Sequence, residues 1–247
     1  MLETFFNWEY IWQVFPDLLK TGLWNTLILA LTSAVIGAVL GLGLALMGLS
    51  RTRWLRWPAR VYTDVFRGLP AIVTILLVGQ GLAVPLRPII GTDPYPLGIL
   101  ALSLVAAAYT GEIFRSGIQA VHKGQMEASQ ALGMSYAKAM RLVMVPQGVR
   151  NVLPALVNQF ILLVKDSSLV YFLGLLADQR DLFRIGQDLA ANTGSLSPLT
   201  AAALCYLVIT IPLTHLVNYI DRRLRKPETR GTPLLRVLGL AHARTGG

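Results

Sequence analysis

Long apolar runs alternate along the chain with short polar, charged stretches. Residues 23–49, 61–84, 97–118 and 199–220 are each long and apolar enough to cross a bilayer core of about 30 Å as a helix, which takes about 20 residues. A fifth run, 152–176, qualifies except for Lys165 and Asp166. The pattern predicts an all-α, multi-pass membrane protein with five transmembrane helices. No Ser/Gly-rich linker or internal repeat divides residues 1–247, so a single membrane domain is expected.

Within the first run, Gly37, Gly41, Gly43 and Gly48 form a small-residue stripe that lets another helix approach, in the same subunit or in a partner. In the second, Gly68 and Pro70 of "FRGLPAIV" should interrupt the helix. The backbone groups freed by such a break must be satisfied by protein or by water in a cavity. "VPLRPIIGTDPYP" reads as a tight external loop. "LLADQRDLFRIGQDLAANTGSLSP" reads as a short helix lying on the outer surface.

The polar stretch between the third and fourth runs, residues 119–147, has its own helical pattern. Ala128, Ala131, Leu132, Ser135, Tyr136, Ala139 and Val143 recur at i, i+3, i+4, i+7 and i+8, giving one small, mostly apolar face. Glu127, Gln130, Lys138 and Arg141 lie off that face. Glu127 is expected to orient or cap this helix, its carboxylate favoured near the positive N-terminal end, Gly133 to allow close approach or a bend, and Pro146 to end it. Such a helix either rests on lipid or docks in a partner's groove, and its pattern alone does not decide between them.

Composition supports lipid as the solvent: 54% of the residues are hydrophobic and 14% charged, against about 25% charged in an ordinary soluble domain. The net charge of +9 is distributed by side rather than gathered for nucleic acid. Arg51, Arg53, Arg56 and Arg60 follow the first run, and Arg115, Lys123, Lys138, Arg141 and Arg150 surround the link after the third. Arg222, Arg223, Arg225, Lys226, Arg230, Arg236 and Arg244 fill residues 222–247, a basic tail expected to be flexible, with "PLLRVLGLA" suited to the inner leaflet. The other side holds Lys20, Arg87, Lys165, Arg180 and Arg184 with most of the acids. The expected orientation is N-terminus outside and C-terminus cytoplasmic, which an odd number of spans satisfies.

No secretory signal is expected in Met1 to Asp17, which contains Glu3 and Glu9 and lacks a basic start, so the first span should be its own insertion signal. Cys205 is the only cysteine and can form no internal disulfide. His122, His215 and His242 are too scattered for a metal site. No GxxxxGK[ST] phosphate loop occurs, which excludes ATP hydrolysis by that route in this chain.

Charges inside the spans cost about 2.5 to 3.5 kcal/mol each on insertion scales, so each needs a partner or a wet cavity. Asp64 and Arg67, and Glu112 and Arg115, are spaced to meet as pairs on one helix face. Arg67 adjoins the expected helix break and Glu112 follows the small stretch "AAYTG", so both are candidates to face a transport pathway. Lys165 and Asp166 fall about 20 Å into the fourth span. With the hydroxyls of Ser167 and Ser168 they offer cationic and anionic partners to a zwitterion, or else they form a gate or brace between helices.

Glu127-Ala128, then Gly133, nine residues, and Val143-Met144-Val145-Pro146 resemble the EAA loop of binding-protein-dependent ABC importer permeases. That pattern is Glu-Ala-Ala, a glycine, nine residues and Ile-x-Leu-Pro; Ser129, Val143 and Val145 depart from it conservatively. "YTDVFRGLP", "AAYTGEIFRSGIQAVHKGQMEA" and "RNVLPALVNQFILLVKDSSL" are similar to signature blocks of the polar amino acid subfamily. The resemblance implies a subunit of the bacterial cytoplasmic membrane, paired with itself or a related permease. It also implies two cytoplasmic ATPase subunits that use ATP and magnesium, and an extracytoplasmic amino acid-binding protein. This chain would then carry no catalytic residue and bind no cofactor. Residues 119–147 become the coupling loop, in which Gly124, Glu127, Ala128, Ser129, Ala131, Leu132, Gly133 and Pro146 would serve contact with the ATPase. Rival readings are the same architecture carrying an opine or another organic cation, a secondary transporter or channel, and an intramembrane enzyme using Ser103 and His215.

Overall fold

A computed structural model describes residues 2–224, and the regular structure among them is helical throughout. In chain order the helices are α1 (Leu2–Phe5), α2 (Trp8–Asp17), α3 (Leu23–Leu49), α4 (Arg53–Gly68), α5 (Ala71–Ile90), α6 (Tyr95–Gln119), α7 (Lys123–Ala131), α8 (Tyr136–Ala139), α9 (Val145–Asn151), α10 (Leu153–Asp166), α11 (Leu182–Thr193) and α12 (Ser197–Leu224). Wide π-turns at Leu18–Gly22 and Met140–Met144 join α2 to α3 and α8 to α9, and the 3₁₀ turns of Ser167–Leu173 extend α10. Five helical stretches are long and apolar enough to cross a membrane: Trp8–Leu49, Ala71–Ile90, Tyr95–Gln119, Leu153–Leu173 and Ser197–Leu224. The tail beyond residue 224 lies outside the described residues.

Packing centres on α6, whose small residues admit neighbours on several sides. Gly37 and Gly41 of α3 lie against Ala106, Ala107, Thr110 and Gly111, and a Cβ on Gly41 would come within 2.8 Å of the Gly111 nitrogen. Thr110 fastens this seam by donating its hydroxyl to the carbonyls of Gly37 (2.9 Å) and Ala106 (2.8 Å). Half of the glycine stripe thus serves packing within the chain, whereas Gly43 touches nothing. On another side Ile75 of α5 joins Ala101, Leu102 and Ala106 of α6, Leu163 of α10 and Val170 in one buried cluster.

The second span is two helices, not one helix over 61–84. Val61 to Gly68 complete the amphipathic α4, and Leu69 and Pro70 are extended before α5 begins. Proline disfavours a helical residue before it, so Leu69 must leave the helix. The Tyr62 hydroxyl donates to the Leu104 carbonyl at 2.9 Å, and the Arg67 guanidinium lies 5.6 Å from the centre of the Tyr109 ring. Leu104 stands about 22 Å along α6 from Gln119, so the break falls within the depth of the bundle.

The expected loop "VPLRPIIGTDPYP" is mostly helix, because α5 runs through Pro85 and Pro88 to Ile90. Pro85 and Pro88 remove the donors of the Gly81 and Val84 carbonyls without breaking the helix. Gly91, with φ +67°, ends the helix, leaving a turn of only a few residues before α6. The fourth span likewise ends earlier than residue 176, at Leu173, followed by Gly174 with φ +76°.

The external helix is embedded rather than laid on the surface. Leu182 and Ile185 of α11 pack with Ile11, Val14 and Leu18 on one side and Ala201, Ala202 and Cys205 of α12 on the other. Its apolar face is covered by protein and needs no lipid. Asp181 caps it, accepting the Arg184 N–H at 3.0 Å, and the Tyr206 hydroxyl donates to the same carboxylate at 3.3 Å. The carboxylate is fully buried without a cationic partner among the described residues, and burial pushes its pKa up to about 6. At this end the chain start is tied to α12 by the Asn7 N–H donating to Ser197 Oγ at 2.8 Å. The clustered basic residues Arg51, Arg53, Lys123, Lys138, Arg141, Arg150, Arg222 and Arg223 flank the opposite ends of α3, α6, α10 and α12.

Candidate functional site

The segment linking α6 to α10 projects from the basic end and is built from two helices, where the sequence pattern suggested one. His122, which the pattern did not single out, starts α7 by accepting the Gly124 N–H on its Nδ1 at 3.1 Å. Glu127 is therefore not the cap; it stands in the second turn, exposed. The helix stops in a Schellman motif: the Gly133 N–H donates to the Gln130 carbonyl (2.9 Å) and the Met134 N–H to the Ser129 carbonyl (3.1 Å). Gly133 has φ +82°, a backbone conformation that favours glycine, and within this chain a Cβ there would meet nothing within 4 Å.

After Gly133 the apolar face changes sides. Ala128, Ala131 and Leu132 are exposed, Leu132 at 81%, whereas Ala139 is fully buried. Ser129 points inward and donates its hydroxyl to the Gln125 carbonyl at 2.6 Å, so its side chain does not join the exposed face. Pro146 does not end a helix but lies within a continuous helical run, at the second residue of α9 directly after the π-turn. The preceding π-turn, closed by the Val145 N–H on the Met140 carbonyl, carries α8 into α9 without interruption.

This projecting piece is fixed to α6. Ile118, Val121 and Met144 form a buried cluster with Met126 and Met140 packed on it. Gly117 and Gly148 let α6 and α9 touch at the backbone: a Cβ on Gly148 would lie 2.7 Å from the Ile118 Cα, and one on Gly117 2.6 Å from the Gly148 carbonyl oxygen. Neither glycine stood out in the sequence, because isolated small residues between polar neighbours give no periodic signal.

Of the six charged or hydroxylated candidates within the spans, the fold brings together only Arg67 and Glu112. Both line a cavity of about 410 Å³ at the basic end, between α3, α4 and α6, with Arg56, Arg60, Asp64 and Arg115. Glu112 and Arg115 pair as expected, with Arg115 Nε donating at 3.0 Å and a second guanidinium nitrogen donating to the other carboxylate oxygen. Arg115 also donates to Gln119 Oε1 at 2.9 Å. The Asp64 and Arg67 pair does not form, because Arg67 turns to the Tyr109 ring instead.

Lys165, Asp166, Ser167 and Ser168 lie elsewhere, where α10 tightens into 3₁₀ turns. Ser167 and Ser168 donate their hydroxyls to the Val164 and Lys165 carbonyls at 2.8 and 2.7 Å, which ties them to the turn. Lys165 is exposed and Asp166 half-buried. No cluster of three metal-ligating side chains occurs among the described residues.

Residues 37–226 match the family described as the binding-protein-dependent transport system inner membrane component. The arginine transport system permease protein ArtQ of Bacillus subtilis (strain 168) is 40% identical over 84% of this chain and 92% of its own length. The glutamate/aspartate import permease protein GltK of Escherichia coli O6:H1 is 36% identical over 88% of this chain and 98% of its own. A solved structure described as an amino acid ABC transporter with histidines superposes with a TM-score of 0.73 at 35% identity, covering 85% of this chain and 95% of that one. With five membrane-crossing stretches, a projecting segment on α6 and a match over most of its length, the chain belongs to the binding-protein-dependent transport system inner membrane components.

Proposed function

We propose that the chain is the permease subunit of an ATP-driven importer for a polar amino acid, lying in the bacterial cytoplasmic membrane with its basic end in the cytosol. Its partners are two ATPase subunits, which use ATP and magnesium, a second permease, identical or related, and an extracytoplasmic amino acid-binding protein. The observation that carries this reading is α7: a short helix outside the membrane-crossing stretches, exposed along Ala128, Ala131 and Leu132, and seated through Met126 on the buried cluster of Ile118, Val121 and Met144. A leucine 81% exposed at the tip of a well-anchored helix suits a groove in a partner.

The mechanism follows from the connections. Displacement of α7 by closing ATPases passes through Met126 to the Met140–Met144 turn and α9, across the Gly117 and Gly148 contact into α6, then along the Gly37 and Gly41 seam into α3. Two packed helices move together as a body, which allows the pathway beside α4, with Arg67 and Glu112, to open alternately to the two sides. The relatives named for amino acids favour that cargo over an opine or another organic cation.

The test is reconstitution of the permease with its ATPase and binding protein in liposomes, with ATP on the cytosolic side. Uptake of at least one amino acid that depends on both ATP and the binding protein is expected. Transport by the permease alone would instead favour a channel or secondary transporter.

A further inference from the structure

Between α3, α10 and α12 the bundle leaves a cleft of about 410 Å³, distinct from the cavity with Arg67 and Glu112. Val35 and Ala38 of α3, Phe160 and Leu163 of α10, and Leu213 and Leu216 of α12 line it, and all belong to membrane-crossing stretches. Val35 and Leu216 are exposed, so the cleft opens at the side of the bundle, toward lipid. Two polar side chains reach its wall. The Thr110 hydroxyl already donates to the Gly37 and Ala106 carbonyls. Gln159 is only 8% exposed, and among the described residues its side-chain amide has no hydrogen-bond partner. An amide left unpaired within a bilayer is costly, so its partner must come from whatever occupies the cleft. Gln159 stands about 9 Å along α10 from Leu153, at the basic end, whereas Val35 stands about 21 Å along α3 from Leu49 at that same end. The cleft thus has its one free polar group low and an apolar wall above it. Headgroup regions take up about 6 Å on each side of a bilayer, which puts the amide close to the level where a phospholipid's ester carbonyls meet its acyl chains. An amino acid finds no charge in this lining, and water alone does not fill an apolar wall.

We propose that this cleft is a binding site for one phospholipid of the leaflet at the basic end, whose ester carbonyl accepts the Gln159 side-chain N–H and whose acyl chain lies between α3 and α12. The bound chain fills the space that separates Leu213 and Leu216 from Val35 and Ala38, and so braces the inner half of α12 against the helices that carry the Gly37 and Gly41 seam. Recognition runs through the ester and the chain, which all diacyl phospholipids share, and not through a headgroup. It requires neither a particular cargo nor a particular orientation in the membrane.

The test uses the permease–ATPase complex loaded with phosphatidylcholine that carries a diazirine midway along one acyl chain, then washed in dodecyl maltoside, irradiated and mapped by peptide mass spectrometry. Adducts at Val35, Phe160 and Leu163 are expected at least fivefold above those at Leu204 and Val208, which are also exposed on α12 but do not line the cleft. Gln159→Leu, which keeps the bulk and removes the amide, should lower the cleft adducts about tenfold. Val35→Trp at the exposed rim should lower them at least threefold and disturbs no buried residue, so it serves even if Gln159→Leu fails to fold. Val208→Trp should leave them within twofold. The same probe built on phosphatidylglycerol should label the cleft within twofold of the phosphatidylcholine probe. An even spread of adducts would mark adventitious lipid only and overturns the proposal, as does a cleft yield unchanged by both Gln159→Leu and Val35→Trp. Labelling more than fivefold stronger with phosphatidylglycerol would assign the lipid to the basic surface and equally overturn it. So would crosslinking of Val35→Cys, in a Cys205→Ser background, to a second permease without any lipid adduct, for the cleft would then belong to that partner.

Discussion

Gly133 shows how one residue's backbone sets the shape of a docking element. Its φ of +82° turns the chain out of α7 just after the exposed Leu132. A β-branched residue in the left-handed region costs about 1–2 kcal/mol, a 5- to 30-fold loss of the native turn. Gly133→Val should therefore weaken coupling of ATP hydrolysis to uptake by about tenfold, whereas Gly133→Asn, which tolerates this conformation, should stay within a few-fold of the parent. Equal coupling in both variants would remove the conformational explanation.

Asp181 makes a separate prediction. Its pKa of about 6 lies above the ordinary 3.8, so the folded protein holds this proton more tightly than the unfolded chain does. Its contribution to stability is greatest below about pH 4 and declines as pH rises toward 6. Asp181→Asn keeps an oxygen for the cap and removes the buried charge. Thermal unfolding should find the variant equal to the parent near pH 4 and more stable above pH 6, by at most about 3 kcal/mol. A difference that does not change with pH would contradict the assignment. In the sequence Asp181 was one of several acids on that side, and only burial, invisible in a linear pattern, distinguishes it.

At the scale of elements, the glycine seam between α3 and α6 has a built-in control. A side chain at Gly41 would meet the Gly111 backbone, whereas one at Gly43 meets nothing within 4 Å. Gly41→Leu should destabilise the protein by about 1–3 kcal/mol through overpacking, with Gly43→Leu nearly neutral in the same melting measurement. The long spans were legible because about 20 apolar residues in a row leave few alternatives, and the break at Leu69 and Pro70 was legible because proline removes a donor. Other element boundaries were not. The apolar spacing runs unbroken from Ala128 to Val143 although the backbone turns at Gly133, since side-chain periodicity carries no information about φ. Pro85, Pro88 and Pro146 looked like breaks or ends, yet each lies within a helical run. The α11 helix looked interfacial because α2, which covers one side of it, is remote in sequence, and a linear pattern does not show that α12, next in the chain, folds back to cover the other.

At the scale of the whole molecule, the charged candidates illustrate what a linear reading can and cannot place. Each was identifiable because charge within an apolar run is expensive. Which of them meet depends on helix packing: Arg67 and Glu112 share a cavity, while Lys165 to Ser168 form a separate turn. The central claim joins these scales, for it requires that α7 seat in an ATPase subunit and carry its motion to α6. The direct measurement is site-specific crosslinking from Leu132→Cys, in a Cys205→Ser background, within the complete importer in membranes. A covalent adduct with the ATPase, its yield changing when ATP binds, is the expected result. Absence of any adduct, in a complex that still imports in response to ATP, would contradict the account.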